Sequence, residues 1–387
     1  MKTLKDIHAL YDKKVLMRVD FNVPFYESGN IADDSRIRAH IPTIEYLIKA
    51  GAKVALISHL GNPEQSLQPV AERLSVLLKD AVTFIGDCLS HHTFKTMDNL
   101  GEGCVVLLEN TRAYEEEKNN DPDFAQKLAK GFDIYINDAF ATAHRKHAST
   151  YGVAQFIEKK CAGLLMQTEV ETLSKVMQKP SKPFVVMIGG AKVSSKLGVL
   201  KSLAQKADTM LIGGAMANTF LKATGVDIGQ SLYEENMLQE ALQVLQMANQ
   251  HNCKVILPSD ATVAEKLEAG VPTQNPSIND VPENMMILDI GKHTQAVWAE
   301  TIKDSATVLW NGPCGVFEIE PFHLGTKAVA QAVAKAHAFT VLGGGDTLHA
   351  AEIFNVKGDI DYVSTGGGAL LAFMEGQTLP AIEALSS

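Results

Sequence analysis

This 387-residue chain lacks several features that define common classes of protein. Its five cysteines are odd in number and scattered, and no two form a CxxC pair, which argues against a disulfide framework and against a zinc site. The N-terminal residues MKTLKDIHAL lack the apolar core of a signal peptide, and no apolar run approaches the length of a membrane span. The formal net charge is −10, which argues against a general nucleic-acid binder. These absences predict a cytoplasmic protein with reduced thiols.

The two commonest nucleotide-binding loops, GxGxxG and GxxxxGK[ST], are also missing. What is present is the composition of a globular protein, with 46% hydrophobic and 21% charged residues. The chain is longer than one hydrophobic core ordinarily supports, so two domains are expected. The Lys-Pro pairs at 179–180 and 182–183 mark the best boundary between them.

Short β-rich apolar runs alternate with longer helical patterns along the whole chain, which is typical of parallel sheets built from βαβ units. The predicted strands lie at 14–23, 53–60, 81–86, 104–110, 132–140, 184–190, 209–215, 254–260, 307–313, 339–345 and 361–368. The predicted helices include 33–50, 164–178, 195–207, 234–250 and 325–338. The acidic stretch 114–123 is expected to form a solvated loop.

The two halves of the chain differ in how their predicted strands end. Strands of the first half run into polar side chains, namely Asp20, Asn22, His59, Glu109, Asn110, Arg112, Asn137 and Asp138. Strands of the second half run into glycine, at 189–190, 213–214, 312, 315, 343–345 and 366–368. Ligands of open α/β sheets bind beyond the carboxyl ends of the strands. We therefore expect the first half to present side chains to a ligand and the second half to present bare backbone amides, which suit phosphates.

The segment MIGGAKVSSKLG (187–198) reads as strand, turn and helix start, with Lys192 and Lys196 on one face of the first helical turns. Two cations there oppose the helix dipole and repel each other. A bound phosphate would offset both effects. The alternative is a glycine turn that leaves both lysines in solvent.

Two further segments of the second half allow a functional and a structural interpretation. In GGGDT (343–347), Asp346 is either a helix N-cap or a carboxylate that holds Mg²⁺ against bound phosphates. In WNGPCGVFE (310–318), Glu318 could bond a ribose hydroxyl, and a structural turn explains the segment nearly as well.

The first half supplies basic groups. Arg36, Arg112 and Arg145 lie at strand or turn ends, where guanidinium groups suit carboxylate and phosphate, whereas Arg18 lies inside a strand and is expected to pair locally. His144 and His147 are spaced as metal ligands, but no nearby thiol or carboxylate completes a zinc site. A structural ion pair explains each arginine taken singly. As a set, they indicate a small and highly anionic ligand.

A series of blocks resembles, in order, the signature blocks of phosphoglycerate kinases. These blocks are RVDFNVP (18–24), DDSRI (33–37), SHLG (58–61), LLENTR (107–112), NDAFATAHRKHAST (137–150), GGAKVSSK (189–196), WNGPCGVFE, GGGDT and STGGGA (364–369). The resemblance implies an α/β fold of two Rossmann-like parallel-sheet domains joined by a hinge. Residues 1–170 would bind 3-phosphoglycerate, residues 171–370 would bind the nucleotide, and residues 371–387 would pack back on the first domain.

The resemblance also implies the site residues. The substrate-binding set is Asp20, Asn22, Arg36, His59, Asn62, Arg112 and Arg145. The nucleotide-binding set is Gly190, Ala191, Lys192, Lys196, Gly213, Asn311, Pro313, Gly315, Glu318, Gly344, Gly345, Asp346 and Thr347, with Asp346 as the metal ligand. Arg36, Lys192 and Lys196 are the implied catalytic residues. Asn62 departs from the family pattern, which has arginine there, so its share in substrate binding is open.

The implied reaction is reversible phosphoryl transfer between 1,3-bisphosphoglycerate and Mg·ADP, giving 3-phosphoglycerate and Mg·ATP, in glycolysis and gluconeogenesis. The implied enzyme is a cytoplasmic monomer that uses Mg²⁺ and binds neither nucleic acid nor membrane. Helix 164–178 and the segment VSTGGGA (363–369) are the expected hinge pieces for a closing motion. Two alternatives remain: a nicotinamide dehydrogenase, against which the missing GxGxxG counts, and a non-enzymatic ligand-binding protein, which would not need Lys192, Lys196 and Asp346 together.

Overall fold

The computed structural model describes residues 1–386, which form two compact units. The first unit comprises Met1–Thr172 and residues 378–386, and the second comprises Leu173–Gln377. Within these residues, no helix combines the length and the apolarity needed to cross a membrane.

The first unit is a parallel sheet with helices between its strands. Its strands are β1 (Lys14–Arg18), β2 (Lys53–Ile57), β3 (Val82–Ile85), β4 (Val105–Leu108), β5 (Ile134–Asn137) and β6 (Lys159–Ala162). Its helices are α1 (Ser35–Lys49), α2 (Gln68–Leu78), α3 (His91–Asp98), α4 (Glu115–Asn119), α5 (Pro122–Ala129) and the start of α6 (Leu164–Gln178). The spatial order β3-β4-β2-β1-β5-β6 places β1 between β2 and β5. Because the sheet is covered on both faces, β4 and β5 are buried along their whole length.

The strands of the second unit are β7 (Phe184–Ile188), β8 (Thr209–Ile212), β9 (Lys254–Ile256), β10 (Ala261–Ala264), β11 (Met286–Ile290), β12 (Thr307–Asn311), β13 (Phe339–Leu342) and β14 (Tyr362–Val363). Six of them form a second parallel sheet, in the order β14-β13-β12-β7-β8-β9. The helices of this unit are α7 (Leu197–Ala204), α8 (Ala215–Ala223), α9 (Leu238–Gln250), α10 (Lys292–Lys303), α11 (Leu324–Lys335), α12 (Gly345–Ile353) and α13 (Gly368–Met374). Strands β10 and β11 form a separate antiparallel pair. The main core lies around Trp298 and Trp310, both fully buried.

The chain returns to the first unit through α14 (Pro380–Ala384), where the Ala381 amide donates to the Ala143 carbonyl at 3.1 Å. This returning segment starts at Thr378, whereas the family resemblance implied a start at 371. Residues 371–377 stay with the second unit because α13 packs against α7. The first unit ends at Thr172, inside the continuous helix α6, so the Lys-Pro pairs after that helix are not the boundary.

The acidic stretch 114–123 is not a solvated loop, and that prediction was wrong. Glu115–Asn119 form α4, and Pro122 begins α5. Glu117 faces inward and is fully buried. Its carboxylate accepts hydrogen bonds from the Ser149 amide at 2.9 Å and the Ser149 hydroxyl at 2.5 Å. The contact of Glu117 with Ser149, 32 residues further along the chain, therefore holds this stretch against the core.

Candidate active site

Part of the candidate site of each unit lies where the order of the parallel strands reverses. In the first unit this point lies between β1 and β5, and in the second it lies between β7 and β12. Crevices form beyond the carboxyl ends of strands at such points. Asp20 and Asn22 follow β1, and Arg145 follows β5. Gly189 and Gly190 follow β7, and the segment Gly312–Gly315 follows β12.

Asp20 and His59 form the floor of the first-unit site. The Asp20 carboxylate makes an ion pair with Arg36, and its second oxygen lies 3.8 Å from His59 Nδ1. The Asp20 amide donates to His40 Nε2 at 2.9 Å, and the other nitrogen of His40 contacts Asp138 Oδ2 at 2.9 Å. Because this chain of contacts runs from β1 through α1 to β5, it fixes the loop that carries Asp20.

Five basic or imidazole side chains form what we call the basic cluster: Arg18, His59, Arg112, Arg145 and His147. Burial, with Arg18, Arg112, Arg145 and His147 nearby, lowers the pKa of His59 to about 2. Burial and the three arginines lower the pKa of His147 to about 4. Both imidazoles are therefore neutral near pH 7, and the positive charge comes from the arginines.

The basic cluster contains three guanidinium groups and no carboxylate. Burial and the neighbouring Arg145 lower the pKa of the Arg112 guanidinium. Arg112 Nε is buried and has no hydrogen-bond partner within residues 1–386. An unpaired buried donor among like charges is costly, and an anion that accepts from it would relieve that cost.

The asparagine side chains near this cluster mainly shape its loops. Asn22 Oδ1 accepts from the Gly61 amide at 2.9 Å. Asn62 is exposed, and its Oδ1 accepts from the Glu64 amide at 3.1 Å, which closes a local turn. Asn110 Oδ1 accepts from the amides of Leu60 and Arg112, at 2.9 and 3.0 Å. The structure thus brings together Asp20, Arg36, His59, Arg112 and Arg145, and it places Asn62 on an exposed turn.

Glycines at the β7–β12 junction are required by close backbone approach. A Cβ at Gly189 would lie 1.9 Å from the Pro313 carbonyl oxygen, and a Cβ at Gly214 would lie 2.5 Å from the Gly190 carbonyl oxygen. Gly190 has φ +120 and Gly214 has φ +69, which favour glycine. The three chain segments therefore meet without side chains between them.

Lys196 is bound into this junction by three hydrogen bonds. Its Nζ donates to the Gly189 carbonyl at 2.9 Å, and to the carbonyl and side-chain oxygens of Asn311 at 3.2 and 2.6 Å. Burial lowers the pKa of Lys196 to about 8, and Asp346 acts in the opposite direction. The ammonium is thus held in a partly desolvated position at the carboxyl ends of β7 and β12.

The structure corrects the prediction that Lys192 and Lys196 share the first turns of a helix. Helix α7 begins at Leu197, Lys196 is its N-cap residue, and Lys192 is exposed in the irregular segment before it. The two lysines therefore do not repel each other as an i,i+4 pair on a helix, and only Lys196 lies at the positive end of the helix dipole. Residues 189–195 are two glycines, an alanine, a lysine, two serines and one large apolar residue, Val193, so the segment has little apolar surface to bury as a helix.

A cavity of about 330 Å³ opens beside this junction, and we call it the second-unit cavity. Its wall combines backbone and polar groups with a larger apolar surface. Of the predicted nucleotide residues it includes Gly190, Ala191, Pro313, Gly315, Glu318 and Asp346. The predicted nucleotide-binding set does not include Gly214, Asn218, Leu232, Pro258, Leu267 and the strand β11, which also line it, although glycines 213–214 were among the predicted strand ends. An apolar wall with a few polar groups at one end is typical of a small-molecule site.

Seven predicted nucleotide residues are absent from that wall: Lys192, Lys196, Gly213, Asn311, Gly344, Gly345 and Thr347. Asn311 is buried, and its Nδ2 donates to the Gly343 carbonyl at 2.6 Å while its Oδ1 holds Lys196. Thr347 is buried, and its hydroxyl accepts from the Gly312 amide at 2.7 Å. A Cβ at Gly213 would lie 3.2 Å from Cys314 Cα, so glycine there permits packing. Asn311, Thr347 and Gly213 therefore pack behind the cavity wall and do not line it.

Asp346 carries an exposed carboxylate in the first turn of α12. The N-cap of α12 is Gly344, and Asp346 lies inside the first helical turn with an exposed side chain, so it is not the cap. Its carboxylate makes no hydrogen bond or ion pair with any other residue of 1–386. Within the same residues no group of three His, Cys, Asp or Glu side chains could hold a metal. A single free carboxylate fits Mg²⁺ that keeps its waters and binds phosphate oxygens.

Asp289, at the end of β11, is a buried carboxyl group in the wall of the second-unit cavity. Its two oxygens accept from the Gly325 amide at 2.6 Å and the Ile290 amide at 2.9 Å. Burial raises the pKa of Asp289 to about 8, although both hydrogen bonds oppose this shift. The carboxyl group ties β11 to the start of α11.

The chain is similar to known proteins over nearly its entire length. The family model for phosphoglycerate kinase matches residues 4–377. Phosphoglycerate kinase of Moorella thermoacetica is 49% identical over 99% of this chain and 98% of the relative, and that of Desulforapulum autotrophicum is 47% identical over 100% of both. The solved structure of phosphoglycerate kinase from Coxiella burnetii has a TM-score of 0.91 and 42% identity, covering 99% of this chain and 98% of that one. This chain belongs to the phosphoglycerate kinase family.

Proposed function

We propose that the two units divide the ligands of a glycolytic phosphoryl transfer between them. The reaction is that of the family: a phosphoryl group passes reversibly between 1,3-bisphosphoglycerate and Mg·ADP, giving 3-phosphoglycerate and Mg·ATP. The chain is thus a phosphotransferase with a carboxyl group as acceptor. The first unit binds 3-phosphoglycerate, and the second unit binds the nucleotide.

The observation that carries this proposal is the contrast between the two candidate sites. The basic cluster combines three arginines, an unpaired buried Nε of Arg112 and two neutral imidazoles. A small ligand with a phosphate and a carboxylate supplies the negative charge that such a cluster lacks. The second-unit cavity combines bare glycine backbone with an apolar wall, which suits phosphates at one end and a base at the other.

The chemistry of the transfer matches the residues available. The acceptor carboxylate is already ionised at neutral pH, so no general base is needed. Catalysis then depends on positioning and on neutralising charge. Arg36 and Lys196 stabilise the transferring group, and Lys192 stabilises charge that develops nearby. Arg112, Arg145 and His59 hold the 3-phosphate. Asp346 would hold Mg²⁺, which when bound neutralises charge on the nucleotide phosphates.

The same proposal includes a cytoplasmic, monomeric enzyme. The five cysteines are free, which suits a reducing compartment. Light scattering of the purified protein measures the oligomeric state, and a stable dimer would contradict this part.

The experiment is a coupled assay for ATP formation from 1,3-bisphosphoglycerate and ADP, with and without Mg²⁺. We expect ATP only when both substrates and the metal are present. Reduction of a nicotinamide cofactor without ATP formation would indicate a dehydrogenase. Binding of both ligands without turnover would indicate a non-enzymatic binding protein. Either result would overturn the proposal.

A further inference from the structure

Arg18 is an arginine buried at the end of a central strand. It is the last residue of β1, and only 1% of its surface is exposed. Its Nε donates to the Ser149 hydroxyl at 2.9 Å, and that hydroxyl donates in turn to the buried Glu117 carboxylate at 2.5 Å. Its NH1 donates to the Val19 carbonyl. The prediction that Arg18 pairs only locally was therefore wrong, because its side chain connects distant parts of the first unit.

The remaining guanidinium nitrogen of Arg18 lies 3.1 Å from His59 Nδ1. A guanidinium group only donates hydrogen bonds, and it stays charged at any pH at which the protein is folded. His59 Nδ1 must therefore accept, which requires a lone pair on that nitrogen. The ring proton of neutral His59 is then on Nε2.

The competing arrangement places the proton on Nδ1 and directs it at Asp20. The distance from His59 Nδ1 to Asp20 Oδ1 is 3.8 Å, which is too long for a hydrogen bond. The other oxygen of Asp20 is paired with Arg36. A proton on Nδ1 would also face the N–H of Arg18. The contact with Arg18 is shorter, so it determines the tautomer.

The surroundings of His59 oppose a second proton on its ring. His59 faces the cations Arg18, Arg112 and Arg145 and the imidazole of His147, with the Asp20 carboxylate on one side. Burial and these cations lower its pKa to about 2. His59 Nε2 has no hydrogen-bond partner within residues 1–386, and it is not among the atoms sealed from solvent. The imidazole thus offers one neutral N–H to a ligand.

We propose that Arg18 is a positioning residue that holds His59 as the Nε2–H tautomer, so that His59 gives a neutral hydrogen bond to an oxygen of 3-phosphoglycerate. The Ser149–Glu117 pair holds the guanidinium in place for this task. The inference rests on the proposed function for the identity of the ligand. The tautomer itself rests only on the contacts within the first unit.

The direct test is nuclear magnetic resonance of the ligand-free protein labelled with ¹⁵N-histidine. Long-range ¹H–¹⁵N spectra between pH 6 and 8 show which ring nitrogen carries the proton, and the His59→Gln variant identifies the His59 signals. We expect a protonated Nε2, an unprotonated Nδ1 and no titration. A proton on Nδ1, or an imidazolium in this range, would overturn the proposal. This measurement needs no activity, so it stands apart from the proposed function.

Two substitutions of His59 distinguish the role of its Nε2 donor from that of its Nδ1 acceptor. In His59→Gln the side-chain amide lies where Nε2 was, which keeps a donor for the ligand and loses the acceptor for Arg18. In His59→Asn the side-chain oxygen lies where Nδ1 was, which keeps the acceptor and loses the donor. We expect His59→Asn to raise the KM for 3-phosphoglycerate roughly tenfold, as for one lost hydrogen bond to a charged group, and His59→Gln to raise it clearly less.

The KM for the nucleotide should stay unchanged in both variants. An equal rise in the KM for 3-phosphoglycerate, or a larger rise in His59→Gln, would refute the donor role. Wild-type protein that does not turn over 3-phosphoglycerate would contradict the proposed function and the ligand named here, while the NMR spectra would still decide the tautomer of His59.

Discussion

Replacing Lys196 by methionine tests whether the ammonium group at the β7–β12 junction stabilises the transition state. The substitution keeps the length of the side chain and removes its charge and its three hydrogen bonds. Preorganised charge that acts on the transition state typically contributes on the order of 3 kcal/mol. We therefore expect kcat to fall roughly a hundredfold or more. The KM for the nucleotide should change much less, because the lost interaction acts mainly on the transition state.

The structure also predicts the effect of this substitution on stability. A pKa lowered from 10.5 to about 8 corresponds to roughly 3 kcal/mol against the charged form of Lys196. The wild-type protein carries this cost below pH 8 and loses it as the pH rises toward 10.5. Methionine removes the cost but leaves the Gly189 carbonyl and Asn311 Oδ1 unpaired, at about 1–3 kcal/mol for each buried group, while the Asn311 carbonyl still accepts from the Gly189 amide. The two effects have opposite signs and similar size, so the variant should stay folded.

The assay is steady-state kinetics of ATP formation from pH 6.5 to 9.5, with thermal unfolding of each variant. Lys206→Met, on an exposed lysine after α7, is the matched control and should keep wild-type kinetics. The wild-type kcat/KM for the nucleotide should fall above about pH 8, where Lys196 of the free enzyme loses its proton. A kcat of Lys196→Met within about threefold of wild type, in a folded protein, would refute this role for Lys196.

Three further changes test other groups. Asp346→Asn should raise the Mg²⁺ concentration needed for half-maximal activity, because an amide is a poorer ligand than a carboxylate and Gly344 already caps α12; an unchanged Mg²⁺ titration would refute the metal role. Asn62→Arg should lower the KM for 3-phosphoglycerate by the equivalent of about 0–1 kcal/mol, mainly at low salt, and a large fall in kcat would reveal an unforeseen role. Asp289→Asn should gain stability relative to wild type as the pH rises from about 4 to 8, because the wild-type carboxyl group holds its proton only when folded; equal melting-temperature differences at pH 5.5 and 8 would contradict this.

The elements that position the site could be predicted because their signals are local. Four of the five predicted strands of the first half ended in polar residues, and the structure places Asp20 and Arg145 after adjacent strands. Parallel strands bring their carboxyl ends to one edge of the sheet, so polar residues at the ends of separate strands come close together in the fold. The position of glycines 189 and 190 directly after β7 was predicted in the same way, from the glycines at the end of an apolar run.

The rest depends on contacts between residues that are distant in the sequence. Nothing near Glu117 shows that Ser149 will bury it, and nothing near Arg18 indicates its contact with His59. Strands β10 and β11 are short and pair with each other outside the main sheet, so the alternation of strand and helix did not reveal them. For the same reason, the part of the cavity wall that β11 supplies was missed.

The central claim, that the basic cluster binds 3-phosphoglycerate and the second-unit cavity binds the nucleotide, is tested most directly by calorimetric titration of both ligands into three proteins. These are the wild type, Arg145→Ala and Glu318→Ala, whose substituted side chains are exposed and can be removed without opening a core. We expect Arg145→Ala to weaken 3-phosphoglycerate binding by about tenfold or more and to leave Mg·ADP binding unchanged, as for a lost charged hydrogen bond. Glu318→Ala should weaken Mg·ADP binding alone. Loss of Mg·ADP binding in Arg145→Ala with intact binding of 3-phosphoglycerate, or the reverse in Glu318→Ala, would contradict the assignment.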